Sequence, residues 1–326
     1  MASAMKRTLL TLVVLGTLLS TAASAQTPIY LTEWGIYGTG AGQFYYPHGL
    51  EVDGSGRVYV TDEAHRVQVF TNNGAYLTQW GTWGGGLGQL WGPLGLAADG
   101  SGNIYVADTG NSRIQKFTAE GMYVTQWGRS GYEPGQFHGP DGVAVGDNGI
   151  VYVADKGNDR IQMFAGDGTY LTQWGSTGSG PGQFNRPYGI AVDDGGHVYV
   201  TDLFNYRVQV FTSNGTYLNQ WGTYGTGTGQ FDYPLGVAVD GHGRVFVADT
   251  DNNRIQVFAS DGTYLTQWGT KGSGPGQFTW PTDMAVDGSG SIFVVDNINN
   301  RVQVFSAYGA VLTKSTSWGR IKALYR

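Results

Sequence analysis

The sequence contains no cysteine, and charged residues make up only 13% of its 326 positions. The absence of cysteine excludes disulfide bonds, thiol nucleophiles and thiolate-bound metals. After residue 19, no apolar run is long enough to span a bilayer, and no stretch has the periodicity of a long helix. Glycine is abundant, with 54 residues, and there are also 20 tyrosines and 10 tryptophans. This combination indicates an ordered chain with many turns.

Basic residues are also scarce, with 19 Lys and Arg against 25 Asp and Glu and a net charge of −6. Proteins bind nucleic acid largely through contacts of Lys and Arg with phosphates. The basic residues of the loops are dispersed among acidic neighbours; they are Arg129, Lys156, Arg186 and Lys271. We therefore expect no nucleic-acid partner.

Residues 1–25 have the three parts of a secretory signal peptide. Lys6 and Arg7 form the positively charged part, residues 9–19 are mostly apolar, and small residues end at Ala25, where cleavage is expected. We therefore predict that the mature chain is secreted or periplasmic and has no membrane anchor after cleavage.

Residues 26–326 are predicted to form one domain of six copies of a repeat of about 47 residues, with a C-terminal tail at about 314–326. Three markers share this period: a tryptophan followed by glycine, an aspartate and an arginine. The tryptophans are Trp34, Trp80, Trp127, Trp174, Trp221 and Trp268. The aspartates are Asp62, Asp108, Asp155, Asp202, Asp249 and Asp296. The arginines are Arg66, Arg113, Arg160, Arg207, Arg254 and Arg301.

Each copy contains four short segments rich in β-branched and aromatic residues and bounded by Gly, Asn or Asp. In the fourth copy these segments are residues 189–192, 197–201, 207–211 and 216–221. Six units of four antiparallel strands predict an all-β, six-bladed propeller. Residues 29–35 copy the fourth strand but precede the first copy, so we expect this N-terminal strand to close the ring. A poorer copy at residues 310–318 leaves the reverse closure open.

The shared residues of the copies resemble the NHL repeat. The resemblance rests on the motifs Pro-x-Gly-[Ile/Val/Leu]-Ala-Val-Asp, Val-Tyr-Val-Ala-Asp and Asn-x-Arg-[Ile/Val]-Gln-Val-Phe. The third copy matches them at residues 140–145, 151–155 and 158–164, with Gly146 in place of the final aspartate and Met163 in place of the valine. It implies that the loops from strand four to strand one, and from strand two to strand three, surround the central channel on one face. It leaves the function open, because the family includes binding platforms, RNA readers, sensor domains and a peptide-amidating lyase.

Residues that repeat in every copy are expected to build the scaffold. We interpret the six Asp–Arg pairs, such as Asp155 with Arg160, as ion pairs that hold a loop. We interpret the six tryptophans as packing anchors between blades. Function is then expected where the copies differ, on loops that a rigid scaffold presents.

Each copy has a proline, the loop proline, at the end of the long loop that leads into its first strand, as at Pro47. The residue after this proline differs strongly between copies; it is His48, Leu94, Asp141, Tyr188, Leu235 or Thr282. The next position is glycine in five copies and Asp283 in the sixth. The NHL resemblance places both positions at the channel mouth, so our candidates there are His48, Asp141, Tyr188 and Asp283. A histidine with carboxylates can hold Ca²⁺ or Zn²⁺, which makes His48, Asp141 and Asp283 candidate metal ligands. The alternative is an inert polar lining without a cofactor, since the histidine array of a zinc lyase is missing.

A second variable set is aromatic and falls in loops assigned to the same face; it comprises Tyr45, Tyr46, Trp91, Phe204, Tyr206, Tyr233 and Trp280. Aromatic rings on a rigid face can stack on peptides or sugars and still offer a polar edge. The alternative is that several of these rings pack beneath the glycine-rich loops.

No catalytic residue is assigned from the sequence, since it offers no nucleophile elbow and no thiol. We therefore predict a monomeric, exported, non-enzymatic scaffold that binds a protein, peptide or glycan on its loop face. The alternative is a metal-dependent lyase or hydrolase with its site in the channel, as the resemblance to a peptidyl-hydroxyglycine lyase implies. A third hypothesis is the sensor or adhesion module of a larger assembly.

Overall fold

A computed structural model describes residues 27–306, which form six four-stranded antiparallel sheets arranged as the blades of a ring. This arrangement confirms the predicted six-bladed β-propeller. The predicted signal peptide and the poorer strand copy at residues 310–318 lie outside the described residues. Within residues 27–306, no helix has the length and apolar character needed to cross a membrane.

The strands follow the repeat along the chain, and the first strand of each blade is the innermost. Blade 1 contains β2 (Pro47–Val52), β3 (Arg57–Asp62), β4 (Arg66–Thr71) and β5 (Tyr76–Trp80). Blade 2 contains β6 (Pro93–Ala98), β7 (Ile104–Asp108), β8 (Arg113–Phe117) and β9 (Tyr123–Trp127). Blade 3 contains β10 (Pro140–Val145), β11 (Val151–Asp155), β12 (Arg160–Phe164) and β13 (Tyr170–Trp174).

Blades 4 and 5 have the same form, and blade 6 combines the two ends of the described chain. Blade 4 contains β14 (Pro187–Val192), β15 (Val198–Asp202), β16 (Arg207–Phe211) and β17 (Tyr217–Trp221). Blade 5 contains β18 (Pro234–Val239), β19 (Arg244–Asp249), β20 (Arg254–Ala259) and β21 (Tyr264–Trp268). Blade 6 contains β22 (Pro281–Val286), β23 (Ser291–Asp296), β24 (Arg301–Ser306) and β1 (Ile29–Trp34). Short 3₁₀ turns follow the second strand of blades 2, 3 and 4, at Thr109–Asn111, Lys156–Asn158 and Leu203–Asn205.

The N-terminal strand closes the ring, as predicted. β1 pairs antiparallel with β24 and places Glu33 opposite Gln303 and Trp34 opposite Val302. The pairing gives blade 6 the same four strands as the other blades, and it couples the first described strand to the last one.

The apolar core lies between blades, because each sheet buries both of its faces against its neighbours. One cluster combines Phe44 and Val60 of the first copy with Phe293 of the sixth. Trp34 belongs to this contact: its ring centroid lies 5.9 Å from that of Phe70 in blade 1 and 6.1 Å from that of Phe293 in blade 6. The repeated tryptophans therefore pack between adjacent blades.

The close fit of these tryptophans explains a glycine in the turn before the fourth strand of blades 1 to 5. In blade 4 this residue is Gly215, whose φ of +87° lies in the left-handed region. A Cβ atom at this position would lie 2.6 Å from the Trp174 ring of the preceding blade. Glycine is thus required for both the backbone conformation and the contact.

The repeated arginines hold the loops that join the blades. Nε of Arg160 donates to Asp155 over 2.8 Å, and its other nitrogens donate to the backbone carbonyls of Tyr132, Glu133 and Gln136 at 2.8 to 2.9 Å. A planar guanidinium group can satisfy several acceptors at once. The Asp–Arg pairs are therefore structural, and they fix the long loop before each inner strand.

Candidate functional site

Two sets of loops form one face of the ring, which we call the loop face. The fourth-to-first-strand loops are residues 35–46, 81–92, 128–139, 175–186, 222–233 and 269–280. The second-to-third-strand loops are residues 63–65, 109–112, 156–159, 203–206, 250–253 and 297–300. Both sets lie at the same end of the blades, because the first residue of each inner strand pairs with the last residue of the second strand, as Pro47 does with Asp62.

The residue before each loop proline has a left-handed backbone conformation. Glycine occupies this position in blades 2 and 3, but Tyr46, Arg186, Tyr233 and Trp280 occupy it in the others, with φ between 48° and 62°. Such a conformation costs a non-glycine residue about 1–2 kcal/mol. Neighbouring blades help to hold it: the N–H of Tyr46 donates to Asn300 Oδ1 over 2.9 Å. The scaffold thus fixes these large side chains at the loop face.

The structure divides the seven aromatic candidates into two groups. Trp91 is 51% exposed and Trp280 is 41% exposed. The other five are partly buried, and four of them stack on another ring: Tyr45 on Tyr46, and Phe204 on Tyr233, with centroids 5.0 and 5.5 Å apart. The fifth, Tyr206, stacks on Tyr224 at 4.9 Å. The two interpretations of these aromatic residues, ligand-binding rings and rings packed beneath the loops, therefore each apply to part of the set. Two rings are open to a ligand, and five pack within the loops.

Four further exposed rings lie in the fourth-to-first-strand loops and were missed in the sequence. They are 63–74% exposed, and they are Tyr37, Trp83, Tyr132 and Tyr224. Three of them occupy the third position after the repeated tryptophan, which holds Ser, Thr or Lys in the other copies. Comparing the copies at this position would have found them, by the same rule that found the channel candidates.

The four channel candidates line one central cavity of about 200 Å³. Its wall is formed by the inner strands of all six blades, which are edge strands of their sheets. Edge strands leave backbone N–H and C=O groups without a partner in the sheet. His48, Asp141, Tyr188 and Asp283 are therefore set in a wall that also carries Glu51 and Thr282 and otherwise consists of backbone and of apolar side chains.

Two charged pairs stand at the channel mouth. Lys156 Nζ forms an ion pair with Asp141 Oδ2, and it lies 5.4 Å from the centre of the Tyr188 ring. Nε2 of His48 lies 3.2 Å from Oε1 of Glu63. Lys156 and Glu63 both follow the repeated aspartate directly, at a position where the other copies carry Thr, Leu or Asn. Neither Lys156 nor Glu63 is among the residues predicted for the channel from the sequence.

Asp141 is the most enclosed of these groups, with only 1% of its surface exposed. Its Oδ1 atom has no hydrogen-bond partner among the described residues. Burial raises the pKa of the Asp141 carboxyl, and the charges of Lys156, His48 and Arg186 counteract that rise. Burial likewise raises the pKa of Tyr188 well above its usual value, and the carboxylates of Asp141 and Asp283 add to this effect.

Deeper in the channel stand two more carboxyl groups, on the neighbouring inner strands β2 and β22. Asp283 Oδ2 accepts a hydrogen bond from the Leu50 N–H over 3.0 Å. Burial raises the pKa of Asp283 to about 7. Burial raises the pKa of Glu51 to about 8, and the negative charge of Asp283 contributes to the rise.

Glu51 was missed in the sequence, although the signal was present. Its position holds alanine in the other five copies, as at Ala97 and Ala144. The signal lies at the fourth position after Pro47, beyond the two positions from which the channel candidates were predicted.

The three candidate metal ligands share the cavity wall but are not grouped around one point. Within residues 27–306, no group of three or more His, Asp or Glu side chains is arranged so that it could hold a metal ion. The structure therefore places His48, Asp141 and Asp283 along one channel without bringing them together as ligands of one ion.

Comparisons with known proteins agree with this architecture. The NHL repeat model matches four segments, residues 44–70, 90–117, 137–164 and 184–211. A family model described as a 6-bladed beta-propeller matches residues 238–318. No curated protein sequence matches the chain.

Solved structures with the same fold include enzymes. A streptogramin B lyase is 16% identical, with a TM-score of 0.61 over 86% of this chain and 98% of the other. A gluconolactonase from Xanthomonas campestris is 14% identical, with a TM-score of 0.62 over the same shares. A protein of unknown function from Bacteroides thetaiotaomicron is 17% identical, with a TM-score of 0.67 over 86% of this chain and 76% of the other. At these identities the likeness concerns the fold alone. The chain is a six-bladed β-propeller that contains NHL repeats.

Proposed function

We propose that this protein is an exported, non-enzymatic binding protein whose loop face holds a peptide or a glycan. The observation that carries the proposal is the set of six exposed aromatic rings on this face: Tyr37, Trp83, Trp91, Tyr132, Tyr224 and Trp280. Large exposed apolar groups on one side of a soluble protein mark interaction sites. Tyrosine and tryptophan suit peptides and sugars, because their rings stack while their polar atoms remain available for hydrogen bonds.

The rigidity of the loops supports the proposal. Each repeated arginine, such as Arg160, holds a long loop against the blade through several hydrogen bonds. Trp280 is held further by a hydrogen bond from its Nε1 to Asp251 Oδ1 over 2.6 Å. A surface that is ordered before binding loses little conformational entropy when the ligand arrives. A loop face of this kind is suited to binding without rearrangement.

The test is a binding screen of the purified mature protein against immobilised oligosaccharides and against a library of short peptides. We expect a ligand whose affinity falls at least about tenfold in Trp83→Ala or Trp91→Ala, since aromatic anchors dominate such interfaces. Leu171→Ala is the matched control, because Leu171 is an exposed apolar residue on the outer strand β13, away from the loop face. Ligands that bind all three variants equally well, or no ligand in either library, would refute the proposal.

A second candidate function is a metal-dependent lyase or hydrolase with its site in the channel. It is favoured by the presence of His48, Asp141 and Asp283 on the wall of one cavity. Its test is the metal content of the purified protein by mass spectrometry, with His48→Ala and Asp141→Ala for comparison. Stoichiometric Zn²⁺ or Ca²⁺ that both variants lose would favour the enzyme, and a metal-free protein would exclude it.

A further inference from the structure

We propose that the central channel binds a small organic cation, with an alkylammonium or guanidinium group, through the carboxyl groups of Glu51, Asp141 and Asp283. This site is separate from the exposed aromatic rings of the loop face. It lies in a cavity of about 200 Å³ that has room for a short amine but not for a folded partner.

Two residues of the inner strands depart from the repeat. Glu51 stands where the other copies have alanine, and Asp283 stands where they have glycine. Close packing of the inner strands explains the glycine: a Cβ on Gly189 would lie 2.4 Å from the carbonyl oxygen of Leu235. The inner strands of the other copies therefore pack with Ala and Gly at these positions, so packing does not require the carboxyl groups of Glu51 and Asp283. Both carboxyl groups enter the channel.

Asp141 is incompletely paired. Its side chain is fully buried on the channel wall, Oδ2 forms an ion pair with Lys156, and neither carboxylate oxygen has a hydrogen-bond partner among the described residues. Buried carboxylate oxygens are almost always hydrogen-bonded in native proteins. A ligand that carries N–H donors would supply the missing partner.

The carboxyl groups that line the cavity outnumber the basic groups. Glu51, Asp141 and Asp283 line it together with the ring of His48, and Lys156 approaches only through its ion pair with Asp141. An enclosed site strengthens the attraction of these carboxylates for a cation. Because no group of three ligands suits a metal ion within the described residues, we assign the cation to the organic class. The methyl groups of the repeated alanines and valines in the wall would contact its alkyl chain.

Proton release provides a specific signature of this site. Glu51 and Asp283, with pKa values of about 8 and about 7, hold protons near neutral pH. A cation favours the ionised carboxylates, so its affinity should rise as the pH rises through 7 and 8, with release of protons. The charged and titratable groups around the three carboxyls are Asp53 beside Glu51, Tyr188 beside Asp141 and Asp283, and His48, Lys156 and Arg186 beside Asp141.

The test is isothermal titration of the full mature chain with n-butylammonium and with 1,4-diaminobutane, at about pH 6 and about pH 8.5. Each titration is repeated in two buffers of different ionisation enthalpy, which counts the protons released. We expect affinity at least about tenfold higher at the higher pH, with proton release.

The variants Glu51→Ala and Asp283→Gly introduce the residues of the other copies, so they preserve the fold, which circular dichroism checks. Each should weaken amine binding at least about tenfold, since a hydrogen bond to a charged group is lost. Glu120→Ala is the matched control, because Glu120 is exposed and far from the channel. Absence of amine binding at about 10 mM, unchanged binding in both channel variants, or binding of Ca²⁺ or Zn²⁺ in place of the amines would overturn the proposal.

Discussion

Arg301 and Glu33 join the last described strand to the first, with Nη1 of Arg301 only 2.8 Å from Oε2 of Glu33. In four other blades the same arginine nitrogen donates to a glutamine within its own blade, as Arg160 does to Gln173 over 3.0 Å. The closing strand thus carries a carboxylate where the other fourth strands carry a neutral amide. A charge-assisted hydrogen bond is stronger than a neutral one, and here it holds the single blade that two distant chain segments form.

We expect Glu33→Ala to lower the free energy of unfolding by about 1 kcal/mol, because the pair is partly exposed and Arg301 keeps its other acceptors. Glu33→Gln should lose less, since it recreates the hydrogen bond of the other blades. Urea unfolding measures both, and Leu31→Ala, an exposed change in the same strand, is the control. Equal losses for Ala and Gln would contradict the expected rescue by the amide hydrogen bond, and no loss in either variant would show that the pair contributes nothing to closure.

Truncation of a repeated tryptophan should be costly. Trp174 contacts Tyr152 of its own blade and Phe211 of the next blade, with centroids 6.2 and 5.6 Å away. Because Trp174 is only partly buried, Trp174→Ala should lower the free energy of unfolding by about 3 kcal/mol, the lower end of the range for a buried tryptophan, through lost burial and a cavity between blades. The exposed Trp83→Ala should change it by less than about 0.5 kcal/mol. Similar losses for the two variants in urea unfolding would contradict the role of Trp174 as an anchor.

The ion pair at the channel mouth should respond differently to single and double substitution. Lys156→Leu leaves the buried Asp141 without its cation, which should cost about 3 kcal/mol of stability at neutral pH. Asp141→Leu with Lys156→Leu removes both charges and introduces the residue types that other copies carry at these positions, Leu94 and Leu203. The double variant should therefore recover most of the loss in thermal and urea unfolding. A double variant as unstable as the single one would show that the cost is not electrostatic.

The raised carboxyl pKa values predict a dependence of stability on pH. A carboxyl whose pKa is higher in the folded than in the unfolded chain retains its proton when folded, so stability falls as the pH rises from the unfolded value toward the folded one. For Glu51 this interval runs from about 4.5 to about 8. Glu51→Ala should therefore stabilise the protein at pH 8 by at least about 1 kcal/mol, and by much less at pH 5. Urea unfolding at both pH values measures this, and equal effects at both would contradict the pKa of Glu51.

Most of the fold could be predicted from the sequence, because the sequence patterns that indicate its strands and turns are local and occur in every copy. The predicted strands of the fourth copy, such as residues 207–211 and 216–221, agree with β16 and β17 to within one residue. The first strand begins earlier than predicted, at Pro187, because a bulge lies between Pro187 and Ile190 and breaks the alternation of side chains.

The site was only partly readable. Comparing copies selected Asp141 and Asp283, but Lys156 and Glu63 come from other loops and meet the channel only through the folding of the blades. The exposure of an aromatic loop residue could not be predicted from the sequence either. Trp91 and Tyr46 are both loop residues near the start of an inner strand, yet Trp91 is exposed and Tyr46 packs against the ring of Tyr45.

The sequence by itself determined the number of blades, the strand order and the residues that form the scaffold, because a repeat imposes the same local preferences six times. The tertiary structure decided which of the variable residues share one cavity and which rings remain exposed. These outcomes depend on distances between residues far apart in the chain, such as Asp283 and Leu50, which meet only when the ring closes. Burial, and with it the raised pKa values of Glu51 and Asp283, arises from that closure.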